Sequence, residues 1–197
     1  MKKSYAKRLM MLLVLSAVFL FVLTACGGGG KKVEPPAKAG DIMQFGGHDW
    51  LVLEVKGNKA LVISNKVLEK RPYHGQVTNI SWTDCDLRKY LNNDFYNSFS
   101  LADSARITAT TTAVNASGEE TKDWIFLLSY DEANKYFASN SKRIALDAKG
   151  TAASWLLRSP GFNDTFAAVV DSGGSFSGYG CPVSFAEGVR PALWLNL

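Results

Sequence analysis

Histidine is almost missing from this chain: His48 and His74 are the only two in 197 residues, and no His-x-x-x-His pair exists to seat a metal on a helix. No Gly-x-Ser-x-Gly elbow occurs for a serine hydrolase. The glycine-rich stretch Asp171–Gly180 lacks both Gly-Lys-Ser/Thr and a following helix, so it reads as a hairpin and not as a phosphate cradle. Paired carboxylates are few as well. Asp84/Asp86 fits a helix cap and Glu119/Glu120 a solvated loop. These absences leave no catalytic residue, metal ligand or cofactor site to name. An enzyme reading would need a dispersed site that includes His48 or His74, in a hydrolase or transferase of the cell envelope.

No apolar run reaches the ~20 residues of a spanning helix. The longest, Leu9–Leu23, has fifteen residues and follows the cationic start Met1–Arg8. It ends in Leu23-Thr-Ala-Cys26, small residues before a cysteine, as an export signal does. That tetrapeptide resembles a bacterial lipobox, which implies lipidation of Cys26 and removal of residues 1–25. Lys2, Lys3, Lys7 and Arg8 leave with the signal. Taking those four from 22 basic residues leaves 18 against 18 acidic ones, so the mature chain is neutral and carries no footprint for nucleic acid. Residues 26–40, rich in Gly, Lys and Pro, read as a flexible tether. The expected location is the extracytoplasmic face of the membrane, with the lipid as the membrane contact.

Cysteine is scarce too. Besides Cys26 only Cys85 and Cys181 remain, and spacing alone leaves open whether they pair or are buried thiols.

Residues 41–197 read as a single α+β domain of mixed short antiparallel sheets with two main helices. Ile42–Phe45, Trp50–Val55 and Ala60–Ser64 form a meander, the last two covered on both faces. Val67–His74 reads as irregular, with Pro72 barring ladder pairing. Thr83-Asp84 caps a helix through Leu91, and Asn92-Asn93 stops it. Ser100 caps Leu101–Ile107. Thr108–Val114 reads as a strand, Asn115–Lys122 as a polar loop and Trp124–Leu128 as a buried strand. The Ser129-x-x-Glu132 spacing is a capping box, and Ala138–Thr151 reads as a mobile surface loop. Ala153–Arg158, a hairpin of Phe166–Val170 and Ser175–Tyr179 about Asp171–Gly174, and a closing strand Val189–Leu195 complete the domain. Arg158 and Arg190, set among apolar residues that include Trp155 and Trp194, read as structural. Each needs a carboxylate or carbonyls to meet its fork.

Five motifs stand in order: Gly46–Leu53, Trp82–Asn92, Phe126–Ser129, Trp155–Gly161 and Gly188–Trp194. Together they resemble an uncharacterised domain-of-unknown-function family common in surface and secreted proteins of Gram-positive bacteria. The later motifs are similar to the C-type-lectin-like fold of formylglycine-generating enzymes and retroelement-diversified receptors. That likeness implies a compact head whose N- and C-terminal strands pair, with loops free to bind. It also implies two absences. The late cysteine pair of formylglycine-generating enzymes is reduced here to Cys181, and of the calcium motifs of sugar-binding lectins only Phe162-Asn-Asp164 remains. The expected function is therefore non-catalytic recognition of a glycan or peptide through Phe162, Asn163, Asp164, Phe176, Tyr179 and Phe185. Rings on rigid loops offer area at low entropic cost. The alternatives are that most of these rings are core, or that the domain is a structural module for protein–protein assembly.

Overall fold

Three apolar runs separated by glycine turns open the chain as seen in this computed structural model, which describes residues 37–113 and 119–197. The expected signal sequence, Cys26 and the tether as far as residue 36 lie outside the described residues, as does the middle of the loop at 114–118. Strands β1 (Ile42–Phe45), β2 (His48–Lys56) and β3 (Lys59–Ser64) form the meander. Gly46 and Gly47 both take positive φ, at 55° and 79°, as a two-residue turn between right-twisted strands requires. β3 is buried at every position after Lys59, whereas β2 buries only Trp50 and Val52 and leaves the rest at least half-buried or exposed. Cover on both faces thus belongs to β3 alone.

The segment read as irregular contains β4 (Glu69–Pro72), an edge strand. Pro72 is tolerated there because an edge position needs no donated N–H. Helix α1 (Asp86–Tyr90) does not stop at Asn92. It widens into one π-helical turn, Leu91–Phe95, which keeps Leu91 and Phe95 in the core. Its cap is the Cys85 thiol, which accepts from the Arg88 amide at 3.4 Å, rather than Thr83 or Asp84. Ser100 does cap α2 (Leu101–Ser104), but the helix lasts one turn and gives way to β5 (Ile107–Thr108). β6 (Thr110–Ala113) and β7 (Glu120–Asp123) make a two-stranded ribbon, so the polar loop is shorter than its composition suggests.

Of the expected buried strand Trp124–Leu128, residues 125–128 are buried, but Trp124 stands 41% exposed against the Tyr96 ring, and among the described residues the run makes one isolated bridge, Phe126 to Ala192. The capping box at the start of α3 (Tyr130–Tyr136) is complete, with Ser129 and Glu132 each satisfying the other's backbone N–H. The expected mobile loop is instead ordered as α4 (Asn140–Arg143) and β8 (Ala145–Leu146), the latter paired with β9 (Ala152–Ala153). Gly174 explains part of this order, since a Cβ there would lie 1.9 Å from the Asn140 carbonyl oxygen.

The remaining strands are β10 (Trp155–Pro160), β11 (Phe166–Val170), β12 (Cys181–Pro182), β13 (Ala186–Val189) and β14 (Ala192–Asn196). The expected return strand Ser175–Tyr179 is a single bridge, Phe176 to Val170, and regular pairing with β11 resumes at β12. The expected closing strand is two strands in two sheets. One sheet runs β1-β2-β3-β14-β5 and the other β12-β11-β10-β13-β4, with the chain crossing between them at Arg190-Pro191. β14 pairs with β3 and β5, so the terminal strands share a sheet without pairing to each other. The protein is mixed helix and sheet, mostly strand. The two main helices shrink to several short ones, α3 being the longest at seven residues. Among the described residues no helix is long and apolar enough to cross a membrane.

Candidate functional site

Three loops meet at one end of the second sheet. The Phe162 amide donates to the Tyr179 carbonyl at 2.9 Å, the Ile80 amide to Asp164 at 3.0 Å, and the Val183 amide to Thr165 at 3.0 Å. Asn163 tightens the first loop, its Oδ1 accepting from the amide and hydroxyl of Thr165. On this backbone Phe162, Tyr179 and Phe185 stand 61–70% exposed. The Phe162 and Tyr179 rings are 5.7 Å apart and tilted by 57°. Asn163 and Asp164 are exposed beside them. Phe176 is placed differently. It is half-buried, 4.1 Å from the Tyr130 ring and beneath the Arg143 guanidinium at 4.4 Å.

Behind the first loop lies a small cleft of about 60 Å³. Its apolar walls are Tyr73, Ile80, Trp82, Pro160 and Phe166, and Asp164 stands at the same opening. That volume is well under the several hundred Å³ that enclose a drug-sized ligand. Trp82 is held by Asp123, a fully buried carboxylate that accepts from its indole N–H at 3.0 Å, from Thr121 at 2.7 Å and from Arg88 at 2.6 Å. Sequence reasoning passed over Asp123. The signal available was the two-residue alternation of Thr121 and Asp123, both inward on β7. Burial raises the Tyr73 phenol well above its ordinary value, with Cys85 and Glu119 adding to the effect. Its hydroxyl donates to the Arg158 carbonyl at 3.0 Å.

With this geometry in place, residues 57–197 match the family described as Domain of unknown function (DUF6273). The chain belongs to that family. No curated protein and no solved structure matches it. The DUF6273 match begins after β2, although β1 and β2 complete its first sheet and contribute Phe45, Trp50 and Val52 to its core.

Within the DUF6273 region the two expected arginines are both buried, at 2% and 3% exposure, but in different surroundings. Arg158 forms a fork with Glu132, at 2.5 and 3.0 Å, and also donates to the carbonyls of Leu127 and Ala113. Among the described residues Arg190 has no carboxylate partner. It donates to the Ser64 carbonyl at 3.0 Å and lies over the rings of Trp155 and Phe137, and its Nη1 finds no partner among the described residues. A third buried arginine, Arg143, went unnoticed in the sequence because it sits in a polar run. It donates to the carbonyls of Gly174 and Phe137, both at 2.8 Å. Trp155 is fully buried and donates to the Arg143 carbonyl, while Trp194 is half-buried on β14 under the Lys56 ammonium.

His48 lies on β2 and His74 in the bend that follows β4, and neither lines the cleft. His48 packs against the rings of Trp50 and Phe95. His74 Nδ1 is 2.9 Å from Asp86 Oδ2, at ion-pair distance but out of line for a hydrogen bond. Among the described residues no group of three or more His, Cys, Asp or Glu could hold a metal. Cys85 and Cys181 are both free and buried. Burial pushes the Cys85 thiol up to about 12, and burial with the nearby Glu187 pushes Cys181 up to about 11. Neither is poised as a thiolate nucleophile.

Proposed function

We propose that this chain is a lipid-anchored recognition head at the extracytoplasmic face of a bacterial membrane, non-catalytic, with a glycan or peptide as its ligand. Cys26 carries the lipid, residues 27–40 are the tether, and the domain from residue 41 binds through the loops around Phe162–Asp164 and Tyr179–Phe185. The observation that carries this reading is the solvent exposure of Phe162, Tyr179 and Phe185 on loops held by backbone hydrogen bonds. Exposed rings on a rigid frame lose little entropy on binding. A C-type-lectin-like head, as the order of the late motifs suggests, presents its loops in the same way.

The test is a glycan and peptide array probed with residues 37–197, and with the same head carrying Tyr179→Ala and Phe185→Ala. A discrete set of ligands is expected, lost in the double variant while its melting curve stays close to the parent's. Retained binding in a folded double variant would move the site elsewhere. Mass analysis of the membrane-extracted protein tests the anchor, since diacylation of Cys26 adds the mass of the lipid to a chain that starts at that residue.

A further inference from the structure

Charge is distributed unevenly around the exposed rings. Between Arg158 and Arg190 the chain carries no lysine or arginine, and between Arg71 and Arg88 it carries none either. These two segments supply the loops at the end of the second sheet where Phe162, Tyr179 and Phe185 stand in solvent. Val77 adds an exposed aliphatic side chain. Its loop is fastened to the same frame at both ends, by the His74 amide on the Val183 carbonyl at 2.9 Å and by the Ile80 amide on the Asp164 carbonyl at 3.0 Å.

The charges left open at this end are negative. Asp84 and Asp164 are exposed, and neither carboxylate has a hydrogen-bond or ion-pair partner among the described residues. They flank one segment, since the Asp84 amide donates to the Ser81 carbonyl at 3.3 Å while Ser81 and Asp164 border the same small cleft. Glu119 stands on this side too, accepting from the hydroxyls of Ser81 and Thr83. The bordering cations each face an acid already. Arg158 meets Glu132, Arg88 meets Asp123, Arg71 meets Glu69, and Lys89 lies 3.9 Å from Asp86.

An apolar surface bordered by acids of one sign chooses its occupant by charge. A second copy of this chain would bring the same acids face to face, and an anionic bilayer or acidic polymer would be repelled. A neutral sugar leaves the field unanswered. A basic peptide with apolar residues meets both features. Its apolar side chains cover the rings, the stems of lysine and arginine lie along apolar surface, and their charged ends reach the carboxylates. We infer that this loop face docks a basic peptide segment, with its apolar side chains on Phe162, Tyr179 and Phe185 and its lysines or arginines toward Asp84 and Asp164. The inference rests on the reading that these loops recognise a ligand, and it selects peptide over glycan.

The experiment is an array of random-sequence peptides probed with the full chain in detergent and with its Asp84→Asn, Asp164→Asn double variant, beside spots of phosphatidylglycerol and phosphatidylcholine. The bound peptides should be rich in lysine and arginine and also carry aliphatic or aromatic residues. For a soluble peptide taken from that set, affinity should fall about three- to tenfold in the double variant, the range expected of two exposed charge contacts, and should fall with added salt. Because neither carboxylate holds anything in the fold, the double variant should keep the parent's melting temperature. Bound peptides of neutral or acidic composition, unchanged affinity in the double variant, or a preference for phosphatidylglycerol over phosphatidylcholine would each overturn the inference. The outcomes separate it from the reading beneath it. Glycans or neutral peptides that are lost on Tyr179→Ala and Phe185→Ala would sink the basic ligand and spare the recognition head. Arrays silent to both peptides and glycans would sink both.

Discussion

The guanidinium carbon of Arg190 lies 5.0 Å from the centre of the Trp155 ring, with no ion-pair partner among the described residues. This is the residue at which the chain leaves one sheet for the other, so its charge sits at the seam of the core. Burial lowers its pKa to about 10, the sign of a cation without a counterion. Arg158 is as deeply buried but shares a fork with Glu132. Two arginines that look alike in sequence therefore carry different energies.

Replacing each with methionine should separate them. Arg190→Met removes an uncompensated charge and keeps most of the apolar contact, so stability should stay within about 1 kcal/mol of the parent. Arg158→Met strands Glu132 and two carbonyls and should cost about 3 kcal/mol. Urea unfolding midpoints measure both. A larger loss at Arg190 would mean that the ring stack, and not charge compensation, dominates at these sites.

Acid sensitivity should trace to Glu54. Hydrogen bonds from Tyr136 first, then from Lys56 and Lys135, lower its pKa from 4.5 to about 2. A depressed carboxylate contributes stability that is fully present above its unfolded value and lost as pH falls through the folded one. The window is thus pH 4.5 down to about 2. Glu54→Gln should flatten the fall of the thermal midpoint across that window, and Tyr136→Phe should remove the largest part of the same effect. A parallel fall in parent and Glu54→Gln would assign the acid limb to other groups.

Asn92 should prove one of the most sensitive polar positions. Its amide donates to the Arg88 and Ile125 carbonyls, at 3.1 and 2.9 Å, and its oxygen accepts from the amides of Trp124 and Ile125. It thereby supplies the pairing that Trp124–Ile125 would otherwise seek in a sheet. Asn92→Ala should cost about 2–4 kcal/mol, since buried backbone groups lose partners at about 1–3 kcal/mol each. Asn92→Asp, which keeps the acceptors and loses the donors, should fall between. Chemical denaturation gives both values.

The family boundary should not be a folding boundary. Removing residues 41–56 from the full chain deletes β1 and β2, uncovers the edge of β3 and takes away Phe45, Trp50 and Val52. At about 1.5–3 kcal/mol for each buried side chain, the loss approaches the whole stability of a typical domain. Such a deletion should show no cooperative thermal transition. A sharp one would make residues 57–197 self-sufficient.

Local patterns carried part of the architecture. The opening meander, the Ser100 cap and the Ser129–Glu132 box were readable in the sequence because each depends on residues only a few positions apart. The core sense of the run Trp124–Leu128 was readable too, from its unbroken apolar character, except at Trp124, which the structure leaves exposed. The candidate site was readable in part, as rings and small polar residues near the end of the chain. That Phe162 and Tyr179 stand in solvent while Phe176 packs on Tyr130 was not, because alternation along an irregular return segment has no fixed phase.

By itself, then, the sequence determined the mixed class, the first strands, the caps of α2 and α3 and the absence of any local catalytic motif. Tertiary structure alone decided the rest. Arg143 is ordered by the carbonyl of Gly174, 31 residues on, and Asn92 by Ile125, 33 residues on. β4 exists because β13 lies beside it, and Asp123 can be buried because Trp82 and Arg88 come to it from a distant segment. A buried polar group is stable only where its partners arrive, and those partners are set by how the sheets pack rather than by neighbours along the chain.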